Sequence, residues 1–185
     1  MKTVILFLFL LNLPLSLALA NGAGILGRQA PEFNDLEWKS AKGKKITIPS
    51  VAEHKGKVII LKFWQSWCPG CLSRGLPTLK KLQNRFEGDE RVKIYSAQTV
   101  FEGFGTNDKR KIISIRKRYD LTIPIAHDDG LTHKKKRSVL MTRFRSGGTP
   151  WFVIIDTNGK VVFNNFHLNF DKTVLYIEKV LLKGR

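Results

Sequence analysis

Cysteine is nearly absent from this 185-residue chain, which has only Cys68 and Cys71. Two cysteines cannot build the disulfide framework of a secreted scaffold or a four-cysteine zinc site, so their role is local. Acidic residues are scarce too. Fifteen Asp and Glu stand against 32 Lys and Arg, and the resulting formal charge of +17 makes anionic partners a standing expectation. The four histidines, His54, His127, His133 and His167, are scattered, and none has zinc-ligand spacing near the cysteines. No internal repeat or second Pro/Gly linker divides the chain. Its 43% hydrophobic and 25% charged residues exclude disorder, collagen and coiled coil, and its length suits one domain.

Long apolar runs are confined to the start. Met1 to Ala20 has a basic residue, Lys2, then the run Val4 to Leu11, then Ala18-Leu19-Ala20. This is the layout of a secretory signal peptide with a small-residue cleavage site. Asn12 and Pro14 interrupt the run, and it is short of the roughly 20 apolar residues of a spanning helix, so cleavage after Ala20 is expected over an uncleaved anchor. No cysteine follows that site to carry a lipid. The expected domain is 21–185, in a periplasmic or otherwise extracytoplasmic location where disulfides can persist.

Within it, Val58 to Trp64 is a continuous apolar and β-branched run suited to a strand buried on both faces. From Pro69 to Phe86, Leu72, Leu76, Leu79, Leu82 and Phe86 step by three or four, predicting a helix with Pro69 in its first turn. The pattern continues with a strand over Val92 to Ala97, a helix over Thr106 to Tyr119, a short strand over Ile123 to Ala126 and a helix over Leu131 to Phe144. Trp151 to Ile155 and Val161 to Asn164 flank Asn158-Gly159, a hairpin signal. Lys172 to Leu182 predicts a last helix, with Asp171 as N-cap and Gly184 past its end. This order implies an α/β fold, a mixed sheet with helices on both faces, whose ligand chemistry gathers at strand C-termini.

Trp67-Cys68-Pro69-Gly70-Cys71 falls at such a place, between the buried strand and the helix. Unpaired backbone N–H groups and the dipole at a helix N-terminus favour a thiolate, the nucleophile of disulfide exchange. Cys68 is the expected attacker. Cys71, one turn on, is placed to resolve a mixed disulfide. So short a loop removes little chain entropy when bridged, which argues against a purely stabilising disulfide.

The run Phe63 to Cys71, after Gly56 to Leu61 and before Gly148-Thr149-Pro150, resembles the thioredoxin-like superfamily, in particular the TlpA-like and redoxin-type extracytoplasmic thiol-disulfide oxidoreductases. Gly27 to Phe33, an extra strand-helix segment between Tyr95 and Pro124, and the Asn-Gly hairpin extend the resemblance over residues 25 to 182. It implies a thioredoxin-like fold with an N-terminal extension and no cofactor or metal. It also implies that Pro150 is cis and packs against the cysteines, with the Thr149 backbone free to pair with an extended substrate. Trp67 would line the same rim and Trp151 would contribute to it, although both also suit a core. Pro69 and Gly70, between the cysteines, would tune the redox balance. Protein or small thiol/disulfide substrates and a membrane electron donor of the DsbD-like type are the implied partners.

Several positions depart from the family. Many thioredoxins carry an acid six residues before the first cysteine, where this chain has Lys62. Lys62 is expected to point to solvent as a structural residue; the alternative sets its charge under the site, where it would lower the thiol pKa values. Glu102 is the candidate replacement acid. Pro77 falls six residues after Cys71 rather than five, with Gly75 available for a local irregularity, and Arg74 stands where some members have Glu.

Lys109, Arg110, Lys111, Arg116, Lys117, Arg118, Lys134, Lys135, Lys136, Arg137, Arg143 and Arg145 face only Asp120, Asp128 and Asp129 over the same stretch. They form a solvated basic face or a contact for an acidic partner or anionic membrane surface. Export and the lack of interleaved aromatics argue against nucleic acid. The leading expectation is an exported protein disulfide reductase. A thiol peroxidase of the peroxiredoxin type is the first rival, but Leu61 and Gln65 replace the Pro and Thr such sequences carry seven and three residues before the reactive cysteine. A non-enzymatic basic binding module is the second.

Overall fold

The computed structural model describes residues 23–130 and 137–183. Met1 to Ala20, Lys134 to Lys136 and Gly184, and with them the signal-peptide reading and part of the basic stretch, lie outside the described residues.

The strands are β1 (Trp38–Lys39), β2 (Lys45–Ile46), β3 (Val58–Trp64), β4 (Val92–Thr99), β5 (Ile125–Asp128), β6 (Trp151–Ile155) and β7 (Val161–Asn165). Among the described residues they form one sheet in the order β2-β1-β5-β4-β3-β6-β7. β3 pairs parallel with β4 and antiparallel with β6, and every one of its seven residues is buried. Being central, it has no solvent face, which is why its sequence, Lys62 apart, is apolar without alternation.

Side chains still alternate between the faces. Ile59, Leu61 and Phe63 join Phe33, Trp38, Phe144 and Trp151 on one face, covered by the N-terminal extension and helix α3 (Val139–Arg143). Val58, Ile60 and Trp64 face the other way, under helices α1 (Leu76–Arg85), α2 (Lys111–Tyr119) and α4 (Phe170–Tyr176). Each large apolar side chain so buried contributes about 1.5–3 kcal/mol.

Local chemistry shifts several element bounds. The helix expected from Thr106 begins at Lys111, because the Thr106 and Asn107 N–H groups turn back onto the Gly103 carbonyl. Of the helix expected over Leu131 to Phe144, Val139–Arg143 is helical; it starts where Ser138 Oγ accepts from the Met141 N–H and the buried Asp128 carboxylate accepts from the Val139 and Leu140 N–H groups. The last helix is capped by Asn169, whose Oδ1 accepts from the Lys172 N–H at 3.0 Å, and not by Asp171, which lies inside the first turn. The hairpin expected at Asn158-Gly159 is present, with Gly159 at φ +81 and Asp156 Oδ1 accepting from the Asn158 and Lys160 N–H groups.

Candidate functional site

The chain leaves β3 at Trp64 and turns through Gln65, Ser66 and Trp67 to Cys68, which immediately precedes the helix that carries Cys71. Parallel β3 and β4 both end here, so the dithiol sits at the strand C-terminal edge where the sequence places it. Both cysteines are free thiols and buried; Cys71 is fully enclosed and Cys68 is 7% exposed. The Cys71 N–H donates to Cys68 Sγ at 3.2 Å, a helix N-terminal donor of the kind that favours a thiolate. The Cys68 thiol donates to the Thr149 carbonyl at 3.5 Å.

Thr149-Pro150 is cis. The proline ring abuts the dithiol helix: a Cβ added to Gly70 would lie 3.3 Å from Pro150 Cδ. The helix is irregular where irregularity is expected. Cys71–Gly75 is a π-helical turn, closed by Leu76 N–H to Cys71 O, and α1 begins only at Leu76. The turn absorbs one extra residue and leaves Pro77 in the first turn of α1, where a missing N–H costs little.

Lys62 corrects the expectation of a solvent-facing side chain. It is 0% exposed. Its place in β3 sends it to the same face as Ile60 and Trp64, flanked by Ser96 on β4 and Phe152 on β6. Nζ lies 3.9 Å from the centre of the Phe152 ring and, among the described residues, has no hydrogen-bond partner. A Cβ on Gly75 would meet Nζ at 2.9 Å and Pro150 Cβ at 3.0 Å, so the π turn, the proline and the amine close on one point under the cysteines.

Burial pushes the Lys62 amine down to about 7, with the Cys71 and then the Cys68 sulfur acting in the opposite direction. Burial, and next the hydrogen bond with Cys68, push the Cys71 thiol up to about 12, while the Gln65 backbone and the Lys62 charge pull it down. Each group alone prefers to be neutral. A proton passed from Cys71 to Lys62 would create an ion pair whose members stabilise each other. Glu102 is exposed and supplies no buried acid.

Trp67 is 44% exposed beside the dithiol. Trp151 is core: it stacks edge-on against Phe166, and its indole N–H donates to Asn164. Sequence reasoning missed Asn107. This buried amide accepts from the Ser66 N–H at 2.8 Å and the Ser66 hydroxyl at 2.9 Å, and donates to Gln65 Oε1 at 3.0 Å. It clamps the inserted middle segment onto the two residues before Trp67. A lone polar residue in a loop carries no periodic signal that would have found it.

A mixed sheet of this order, with a dithiol opening the helix after its central strand, defines the thioredoxin-like fold class. Within that class the chain belongs to the AhpC/TSA family, whose profile matches residues 26–164. It is similar to the thiol-disulfide oxidoreductase ResA of Bacillus cereus, at 29% identity over 141 residues covering 74% of this chain and 67% of that one. It is also similar to the thioredoxin-like protein YneN of Bacillus subtilis, at 31% identity covering 55% of this chain and about half, 53%, of that one. The crystal structure of a thiol-disulfide isomerase from Corynebacterium glutamicum superposes with a TM-score of 0.68 over 84% of this chain and 98% of that one, at 23% identity, and shares the fold. The oxidoreductase class expected from the sequence agrees with this family.

Proposed function

We propose that the protein is an exported protein disulfide reductase working through a Cys68 mixed disulfide. The observation that carries this reading is the hydrogen bond from the Cys71 N–H to Cys68 Sγ at the start of the helix. The Cys68 thiolate attacks one sulfur of a substrate disulfide; the Cys68–substrate S–S bond forms, the substrate S–S bond breaks, and the leaving thiolate takes a proton. Cys71 then gives its proton to the Lys62 amine and attacks the Cys68 sulfur. The Cys68–Cys71 disulfide forms and the second substrate thiolate leaves, taking that proton. The substrate gains two electrons and the dithiol loses two.

Thr149, whose carbonyl lies 3.5 Å from the attacking sulfur, offers the backbone along which an extended substrate lies, with Trp67 at the rim. Pro69 and Gly70 set the geometry between the sulfurs. The signal-peptide pattern of Met1 to Ala20 supports export. Recharging outside the cytoplasm then calls for a membrane dithiol donor of the DsbD-like type. The peroxidase alternative gains nothing from the geometry, because Leu61 is core and the Gln65 side chain is held by Asn107.

The test is equilibration with glutathione or dithiothreitol, following Trp67 fluorescence and thiol trapping. A potential near roughly −270 mV marks a reductase, and one near roughly −120 mV marks an oxidant and overturns the direction. The Cys71→Ser variant should accumulate a mixed disulfide with substrate and Cys68→Ser none. Absence of exchange in the wild type rejects the function outright.

A further inference from the structure

A groove of about 280 Å³ opens beside the loop that presents Cys68. One wall is a single face of α2, with Lys111, Ser114, Ile115 and Arg118 at i, i+3, i+4 and i+7. The other wall is Trp67 with Leu72, one turn into the dithiol helix. The Tyr119 hydroxyl donates to the Leu72 carbonyl at 2.8 Å and ties the two walls together.

The charge in this groove is of one sign. Lys111 and Arg118 are exposed, and among the described residues neither forms an ion pair; Arg118 lies over the Tyr119 ring. Among the described residues, no acidic side chain lines it. The nearby Asp108 is taken by Arg110 at 3.0 Å. A larger cavity of about 640 Å³, at the sheet edge between the β1–β2 hairpin and α2, also has basic walls, but Glu37 and Asp129 stand among them and offset the charge. Of these two, the smaller groove combines an acid-free lining, an exposed indole and adjacency to the Cys68 sulfur.

Resting on the reductase reading above, we infer that this groove selects the substrate: the polypeptide segment flanking the disulfide under attack is acidic, its carboxylates meeting Lys111 and Arg118 and an apolar neighbour packing on Trp67 and Leu72. A polypeptide whose cysteine reaches Cys68 has flanking residues to place on both sides of that sulfur. The Thr149 carbonyl lies 3.5 Å from that sulfur, and the groove is lined by Ser66 and Trp67, the two residues just before Cys68, so its charge bears on the segment being reduced. Charge placed there raises encounter rates and discriminates partners more than it raises raw affinity.

The test uses reduced protein in single turnover with two synthetic peptides, each carrying its cysteine as a mixed disulfide with thionitrobenzoate. One peptide has glutamates beside the cysteine and the other has lysines; released thionitrobenzoate is read by absorbance. At low salt the glutamate peptide is expected to react about tenfold faster or more, within the range of electrostatic steering. The double variant Lys111→Glu/Arg118→Glu should lose or invert that preference. Lys179→Glu/Lys183→Glu, which alters net charge equally at two exposed lysines near the C-terminus, should keep it. Equal rates for the two peptides in the wild type overturn the inference, and so does a preference that survives in the Lys111/Arg118 variant. Neutral hydroxyethyl disulfide separates the levels. Its reduction at one rate in all three proteins shows an intact dithiol, while its failure to react in the wild type removes the reductase reading itself.

Discussion

Lys62 stands at a position where burial and charge oppose each other, and pH separates the two. In the unfolded chain its amine keeps a proton up to about 10.5, whereas in the folded protein the proton leaves at about 7. Between those values the unfolded chain binds more protons, so this residue's destabilising effect shrinks as pH rises through the window and is at full strength below it. Lys62→Met keeps the volume and removes the charge. It should stabilise the reduced protein by an amount on the order of a few kcal/mol at pH 6, and by progressively less toward pH 9. Above about 9 the raised Cys71 thiol adds a fall in stability with pH to both proteins alike, so the comparison belongs below that point. Urea unfolding at several pH values measures the difference, and a gap that does not vary with pH defeats the argument. In the proposed mechanism the same variant leaves Cys68 attack intact and prolongs the mixed disulfide, because the amine proposed to take the Cys71 proton is gone. Retaining such a residue against its cost to stability is what a role in exchange would explain.

At the scale of elements, the π turn Cys71–Gly75 joins the redox site to the helix that supports it. In an ordinary helix Gly→Ala is stabilising by about 0.5–1 kcal/mol. At Gly75 the new methyl would lie 2.9 Å from Lys62 Nζ and 3.0 Å from Pro150 Cβ, and both neighbours are packed in place. Overpacking of this kind costs about 1–3 kcal/mol, so the sign reverses. Gly75→Ala should lower stability in urea unfolding; an increase would show that the amine and the proline yield easily. Asn107→Ala tests the other support. It removes the acceptor for the Ser66 N–H and hydroxyl and the donor to Gln65, and should cost about 1–3 kcal/mol while making Cys68 alkylation and substrate reduction slower. Unchanged rates alongside lost stability would reduce Asn107 to a fold residue.

These two supports also show where the sequence was readable. The strand-dithiol-helix unit was legible because a seven-residue run, apolar but for Lys62, and a three-and-four periodicity are long signals. The irregularity before Pro77 was legible from a single count of residues. The burial of Lys62 follows from its parity with Ile60 and Trp64 inside a strand with no solvent face, yet the charge of the residue argued the other way. β1 and β2 are two residues each, shorter than any pattern can register. Asn169 and Asp171 are both good caps by type, and only the hydrogen bond to the Lys172 N–H decides between them. Asn107 and the groove on α2 arise from contacts between segments some 40 residues apart, which no local pattern encodes.

For the whole molecule, a charge of +17 on 185 residues acts on the fold and on the substrate in opposite directions. The ion pairs present are mostly exposed, such as Lys80–Asp120 and Arg110–Asp108, and pairs of that kind contribute at most about 1 kcal/mol each. They leave a large excess of like charge, whose self-repulsion disfavours the compact state. Salt screens that repulsion, the Debye length falling from about 30 Å at 0.01 M to about 10 Å at 0.1 M and about 3 Å at 1 M. Added chloride should therefore hold or raise the midpoint of thermal unfolding. The same screening weakens the attraction of Lys111, Arg118 and the wider basic surface for an acidic substrate, so the rate with the glutamate-flanked peptide should fall about tenfold between 0.02 M and 0.5 M salt. The rate with neutral hydroxyethyl disulfide should stay flat. A protein that merely unfolded in salt would lose both rates and its midpoint together, whereas one whose charge serves substrate capture becomes more stable and slower at once, and only toward acidic substrates.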